Sequence, residues 1–191
     1  MSASYLLKPA IFLIDTLVSL YVFALLLRFL LQWVEADFYN PISQFLVKLT
    51  HPPLRWLRRL IPSVGRIDTA SLVLMLALQG IGGYVIFLLQ GIAIQPAALV
   101  VWSINQIVEL TFNIFIFAIV IRALLSWFGS LGHNPVNSLL YGLTEPVLIF
   151  CRRLLPSLSG VDLSPLIALI GLQVAKMIVL PPLQQLIMSL Q

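Results

Sequence analysis

Residues 28–68 read RFLLQWVEADFYNPISQFLVKLTHPPLRWLRRLIPSVGRID, and residues 122–162 read RALLSWFGSLGHNPVNSLLYGLTEPVLIFCRRLLPSLSGVD. Set one above the other without a gap, the two stretches lie 94 positions apart. Arg122 falls on Arg28 and Trp127 on Trp33. Asn134-Pro135 falls on Asn40-Pro41, Thr144 on Thr50, Pro146 on Pro52, Arg152-Arg153 on Arg58-Arg59 and Asp162 on Asp68. Further along, Gln173 falls on Gln79. An apolar-biased chain places Leu on Leu by accident, but not this set of Arg, Trp, Asn-Pro, Pro and Asp. The chain is therefore read as two copies of one unit, residues 1–94 and 95–191.

What flanks these stretches decides the class. The chain is 60% hydrophobic and 9% charged, with mean hydropathy +1.04. A soluble domain is about a quarter charged, so lipid must be part of this chain's solvent. A bilayer core is crossed by about 20 apolar residues in a helix. Four stretches qualify, near residues 11–34, 69–90, 105–128 and 163–184, and the third could begin as early as Ala97. Pro181-Pro182 is expected to end or kink the fourth, leaving residues 183–191 in the interface. The expected fold is an all-α polytopic membrane protein, four transmembrane helices in two parallel repeats. Two spans per unit send both units into the membrane in the same direction, which predicts a pseudo-twofold axis along the membrane normal.

Between its two spans, each unit carries an amphipathic, basic segment. Asn40-Pro41 is a helix start, with Asn capping and Pro at the first helical position. Ile42, Phe45, Leu46 and Leu49 follow at helical spacing. Pro52-Pro53 is expected to break this helix, with a second short one over 54–60. Val136, Leu139, Leu140 and Leu143 repeat the scheme. Lys48, Arg55, Arg58, Arg59, Arg66, Arg152 and Arg153 account for seven of the eleven Lys and Arg residues. The positive-inside rule puts both segments in the cytoplasm and both termini outside. Basic charge beside apolar spans points to anionic lipid and topology rather than to nucleic acid. Arg55, Arg58, Arg59, Arg152 and Arg153 are the candidate lipid or partner contacts.

The series NP…T-x-P…RRxxP…D, present twice, resembles the YggT (YlmG-like) family of bacterial membrane proteins, in its two-unit form. The likeness covers nearly the whole chain. It implies a multi-pass inner-membrane protein with no established reaction. It also implies links to osmotic tolerance and potassium handling, to envelope organisation and, in plastid relatives, to cytochrome assembly.

No enzyme motif, metal-ligand spacing or cofactor loop is present. His51 and His133 do not align in the repeat, and Cys151 reads as a small packing residue. Polar residues inside spans are functional candidates by default. They are Asp15 and Glu109, which match across the repeat, the pair Gln79 and Gln173, and Lys176, whose counterpart is Gly82. Gly80, Gly82 and Gly83 are expected to allow close helix contact. Arg28 and Arg122 lie just inside the basic ends of their spans. Asp68 and Asp162 stand before the returning spans, and 68 − 28 and 162 − 122 both give 40. The expectation is an Arg28–Asp68 and an Arg122–Asp162 ion pair, against the alternative that each Arg snorkels and each Asp only caps. Two functions fit. The first is a scaffold or assembly factor that binds anionic lipid and protein partners at its cytoplasmic face. The second is a small ion channel or transport component, with homo-oligomerisation open in either case.

Overall fold

The computed structural model describes residues 2–65, 67–127, 134–154 and 162–191, without the side chains of residues 2–5, Trp127 and Leu154. Arg66 and His133 lie outside the described residues. Six helices follow one another: α1 (Ser2–Trp33), α2 (Pro41–Leu60), α3 (Thr69–Gln90), α4 (Pro96–Trp127), α5 (Pro135–Leu154) and α6 (Ser164–Ser189). Four segments are long and apolar enough to cross a membrane: Leu6–Trp33, Thr69–Gln90, Pro96–Ser126 and Ser164–Ser189. α2 and α5 are the segments between the spans of each unit.

The caps explain where the helices start. Asn40 Oδ1 accepts the backbone N–H of Ile42 at 2.9 Å, and Asn134 accepts that of Val136 at 3.0 Å. In both helices Pro follows the Asn, where its missing N–H costs nothing. Asn40 also donates to the carbonyl of Pro135 at 2.7 Å, tying the start of α2 to the start of α5. At the other end of the first unit, Gly91 closes α3 in the left-handed conformation that glycine adopts without strain.

The prolines do not break the helices. α2 runs unbroken through Pro52-Pro53, and α6 continues through Pro181-Pro182 to Ser189, so the residues expected to lie free after them are helical. A proline frees the carbonyl four residues before it. For Pro53 that carbonyl belongs to Leu49, and the Tyr21 hydroxyl on α1 donates to it at 3.3 Å. A neighbouring span supplies the bond the proline withholds.

One core joins the two units. Val22, Leu25, Leu26 and Leu30 of α1 pack with Leu54 of α2, Ala70 and Met75 of α3, Ile114 and Ala118 of α4, and Leu143 of α5. A second cluster joins Ile119, Leu148, Cys151 and Ala168 within the second unit. Within the units α1 packs on α3 and α4 on α6; between them α3 packs on α4. A twofold axis would require α6 to pack on α1 in the same way, and these two helices do not meet. The contacts between the units are therefore not twofold-symmetric, although α1 meets α4 and α2 meets α5 as such an axis would have them. The reason is the size of the residues on the returning spans. A Cβ on Gly83 would collide with the Trp102 ring of α4, and one on Gly82 would press on Val18 of α1 at 3.0 Å. In α6 the position of Gly83 holds Met177, whose side chain rules out the same approach to α1, while that of Gly82 holds Lys176, which faces α4 within its own unit.

Candidate functional site: two arginine clusters at the basic end of the bundle

α2 buries Ser43, Leu46, Thr50 and Leu54, residues three or four apart and so on one face. That face meets the end of α1. There Arg28, itself buried, donates from Nη1 to Thr50 Oγ1 at 2.6 Å. Thr50 passes the bond on to the Leu46 carbonyl at 2.6 Å. The second unit builds the same frame: Arg122 Nη1 donates to Thr144 Oγ1 at 2.8 Å, and Thr144 donates to the Leu140 carbonyl at 2.7 Å.

The carboxylates are shared out differently from the expected pairing. Asp68 bonds Arg58, not Arg28, and Asp162 bonds Arg152 at 3.1 Å, not Arg122. Both acids also cap. Asp68 accepts the Ser71 backbone N–H at 3.4 Å and its hydroxyl at 2.6 Å, and Asp162 accepts the Ser164 backbone N–H at 2.9 Å. Arg122 has a carboxylate of its own in Glu145, which accepts from Arg122 Nη2 at 2.5 Å and from Arg152 Nη1 at 2.8 Å. The Tyr141 ring lies 3.9 Å from the Arg122 guanidinium carbon. In the first unit the place of Glu145 is taken by His51, which is exposed.

These contacts set the charge states. Burial alone would push the Asp68 carboxyl up; the bonds from Arg58 and Ser71 outweigh it and hold it below the ordinary value. Glu145 is likewise held low by Arg122 and Arg152 against its burial, and Asp162 by Ser164 and Arg152. Burial pushes the Cys151 thiol up, as suits a packing residue.

The remaining candidates divide. Arg55, Arg59 and Arg153 are exposed, with the Arg59 guanidinium 5.0 Å from the Trp56 ring centre. Glu109 and Lys176 meet across α4 and α6 at 3.0 Å, and Lys176 also donates to Asn113 at 2.8 Å. Gln79 is buried, on the same α3 face as Gly82 and Gly83, whereas Gln173 is exposed on α6. Asp15 is exposed and has no hydrogen bond or ion pair among the described residues. Reading the sequence missed Glu145, Tyr141 and Asn113. Nothing in the repeat could mark them, because His51, Val47 and Ser19 stand at the matching places. Among the described residues no three His, Cys, Asp or Glu side chains are grouped to hold a metal.

Four long apolar helices, two charged clusters at one end and a twofold sequence repeat define a polytopic α-helical membrane protein built from a duplicated hairpin. The CCB3/YggT family matches residues 7–89 and again residues 101–183, and the chain belongs to that family. The two matches are themselves 94 residues apart, since 101 − 7 and 183 − 89 agree. The chain is similar to PA0392 of Pseudomonas aeruginosa, 44% identical over 184 residues, 90% of this chain and 88% of that protein. It is also similar to YggT of Escherichia coli K12, 40% identical over 175 residues, 91% of this chain and 90% of that one. Both relatives are described as uncharacterised. No solved structure matches the chain.

Proposed function

We propose that the protein is a membrane scaffold or assembly factor of the bacterial inner membrane, whose α2 and α5 form a lipid- and partner-binding face on the cytoplasmic side. Both termini then lie outside, and the family link to osmotic tolerance follows from organising the envelope rather than from moving solute. One observation carries the reading: α2 has two functional faces. At about 100° per residue, the exposed Phe45, Leu49 and Trp56 form a single stripe beside the buried face, about a third of a turn round from its centre. Lys48, Arg55 and Arg59 run along one side of that stripe and are exposed. A helix held to the bundle on one side, with an apolar stripe and a basic border on the other, fits the acyl–headgroup boundary. Each cation there contributes about 1 kcal/mol beside an anionic leaflet. Arg58 and Arg152, bound to Asp68 and Asp162, serve the bundle; Arg55, Arg59 and Arg153 are left for lipid or a protein partner.

A variant retaining Trp56 as its only tryptophan tests this in liposomes. Trp56 fluorescence should be quenched by bromine-labelled acyl chains, more strongly with phosphatidylglycerol than with phosphatidylcholine alone. Arg55→Gln with Arg59→Gln should remove the difference. Unquenched Trp56 would sink the interfacial reading. The second reading, a transport component, is favoured by the Glu109–Lys176–Asn113 cluster between α4 and α6. Potassium flux above protein-free liposomes would move the assignment there.

A further inference from the structure

The returning spans of the two units, α3 and α6, are not equally covered. Among the described residues α3 packs against two other spans, α1 and α4, and α6 against one, α4. In the most apolar stretch of α6 11% of the residues are buried, against 22% in each of the other spans, so one side of α6 is left to whatever surrounds the bundle.

That side is not uniformly apolar. Leu166, Ile170, Gln173, Met177, Gln184 and Met188 are exposed, and at about 100° per residue they lie within about a sixth of a turn of one another. Gln173 stands about 14 Å along α6 from Ser164 at 1.5 Å per residue, near the middle of a hydrocarbon core of about 30 Å. Its amide has no hydrogen bond among the described residues. Lipid tails offer neither donor nor acceptor, so an amide held there loses the bonds it makes in water. In the first unit the matching Gln79 is buried, and the α3 face beside it takes α4, with Gly80 against Ser103 and Gly83 against Trp102. On α6 the places of Gly80 and Gly83 are taken by Val174 and Met177, which are 49% and 63% exposed.

We propose that this face of α6 docks a second copy of the chain, α6 against α6 across a twofold axis along the membrane normal, with the two Gln173 amides bonded to each other. The chemistry selects the partner. Copies inserted in one orientation bring each residue of α6 to its own twin at the same depth on such an axis. A primary amide both donates and accepts, so two of them satisfy one another, which two carboxylates or two ammonium groups do not. Met177 in place of Gly83 excludes the close approach that α4 makes to α3, and suits helices about 8–10 Å apart with long side chains interleaved between them. The pairing serves a scaffold and a transport component alike.

The test uses the full chain in liposomes. Ile170→Cys and Met177→Cys, each with Cys151→Ala, keep Gln173 and place a thiol on the stripe. Val179→Cys places one on another side of α6, at a residue that is also 41% exposed. Mild oxidation should link the first two into dimers and leave the third monomeric. In a lipid-dilution series followed by energy transfer between donor- and acceptor-labelled copies, Gln173→Leu should weaken association about tenfold. Circular dichroism of that variant should show the helix content of the parent, which separates lost docking from lost folding. Equal linkage at all three positions means random collision, and copies that stay apart at every dilution do not dock; either result overturns the proposal. Association unchanged in Gln173→Leu overturns it as well. So does an Ile170→Cys that links only to Leu13→Cys of another copy, since that is a head-to-tail contact like the one α3 and α4 make between the units.

Discussion

At the scale of single residues, Glu145 is the most consequential side chain at the basic end. It neutralises the buried Arg122 and steadies Arg152. Replacing it with Gln keeps the shape and removes the charge. Because Glu145 is partly exposed, the loss is discounted from that of a fully buried pair and should be about 1–2 kcal/mol. Its pKa is lowered in the folded state, so the stability it contributes is complete above its unfolded value, about pH 4. That stability is lost as the pH falls through the folded value. Unfolding followed from pH 7 down to pH 3 should therefore show a smaller acid-induced loss for Glu145→Gln than for the parent. Equal acid sensitivity would show that the charge is not stabilising. The residue scale is also where the sequence was least legible. The separation of 40 between Arg28 and Asp68 recurs in the second unit, but so does the separation of 10 between Arg58 and Asp68. A repeat preserves every spacing alike, so it cannot say which of two arginines reaches an acid. The helix decides: α2 carries Arg58 back to the start of α3, and Arg28 is met first by Thr50.

At the scale of elements, most of the fold was legible, because span length, hydropathy and the Asn-Pro caps are local signals. The failures are the proline pairs, where continuity depends on a neighbour such as Tyr21 that no local pattern names. The contact of α3 with α4 belongs to the same scale. Gly83 allows it, with the Trp102 ring packed edge-on against Phe87 at 5.5 Å and filling the space a side chain would take. Gly83→Ala should push the helices apart and cost about 1–3 kcal/mol, the usual penalty for overpacking. Gly171 in α6 has open space around its would-be Cβ, so Gly171→Ala should be neutral or slightly stabilising through helix propensity. Thermal unfolding in detergent compares the two. Equal effects would mean that α3 and α4 are not held at the distance Gly83 permits.

At the scale of the whole molecule, the duplicated sequence has not produced a duplicated environment, and the polar residues inside the spans record the difference. Gln79 is buried between helices while Gln173 is exposed; Gly82 makes room for α1 while Lys176 bonds to α4. The Lys176–Glu109 pair lies about 18 Å along α6 from Ser164 at 1.5 Å per residue, well within the apolar span. Its role separates the two functional readings. If the pair only clamps α4 to α6, it behaves like other desolvated pairs. Removing one partner strands a charge in an apolar setting and costs about 3 kcal/mol or more, while removing both is nearly neutral. Lys176→Met and Glu109→Leu should then each lower stability, and the double variant should recover it, with a coupling above 1 kcal/mol in the cycle. If instead the pair sits on an ion path, the double variant is stable but loses whatever potassium flux the parent supports in liposomes. The scaffold reading predicts recovery of stability with flux at the protein-free level before and after. Additive losses in the cycle would remove the clamp. Flux in the parent that disappears in the double variant would remove the scaffold reading in favour of transport through the second unit.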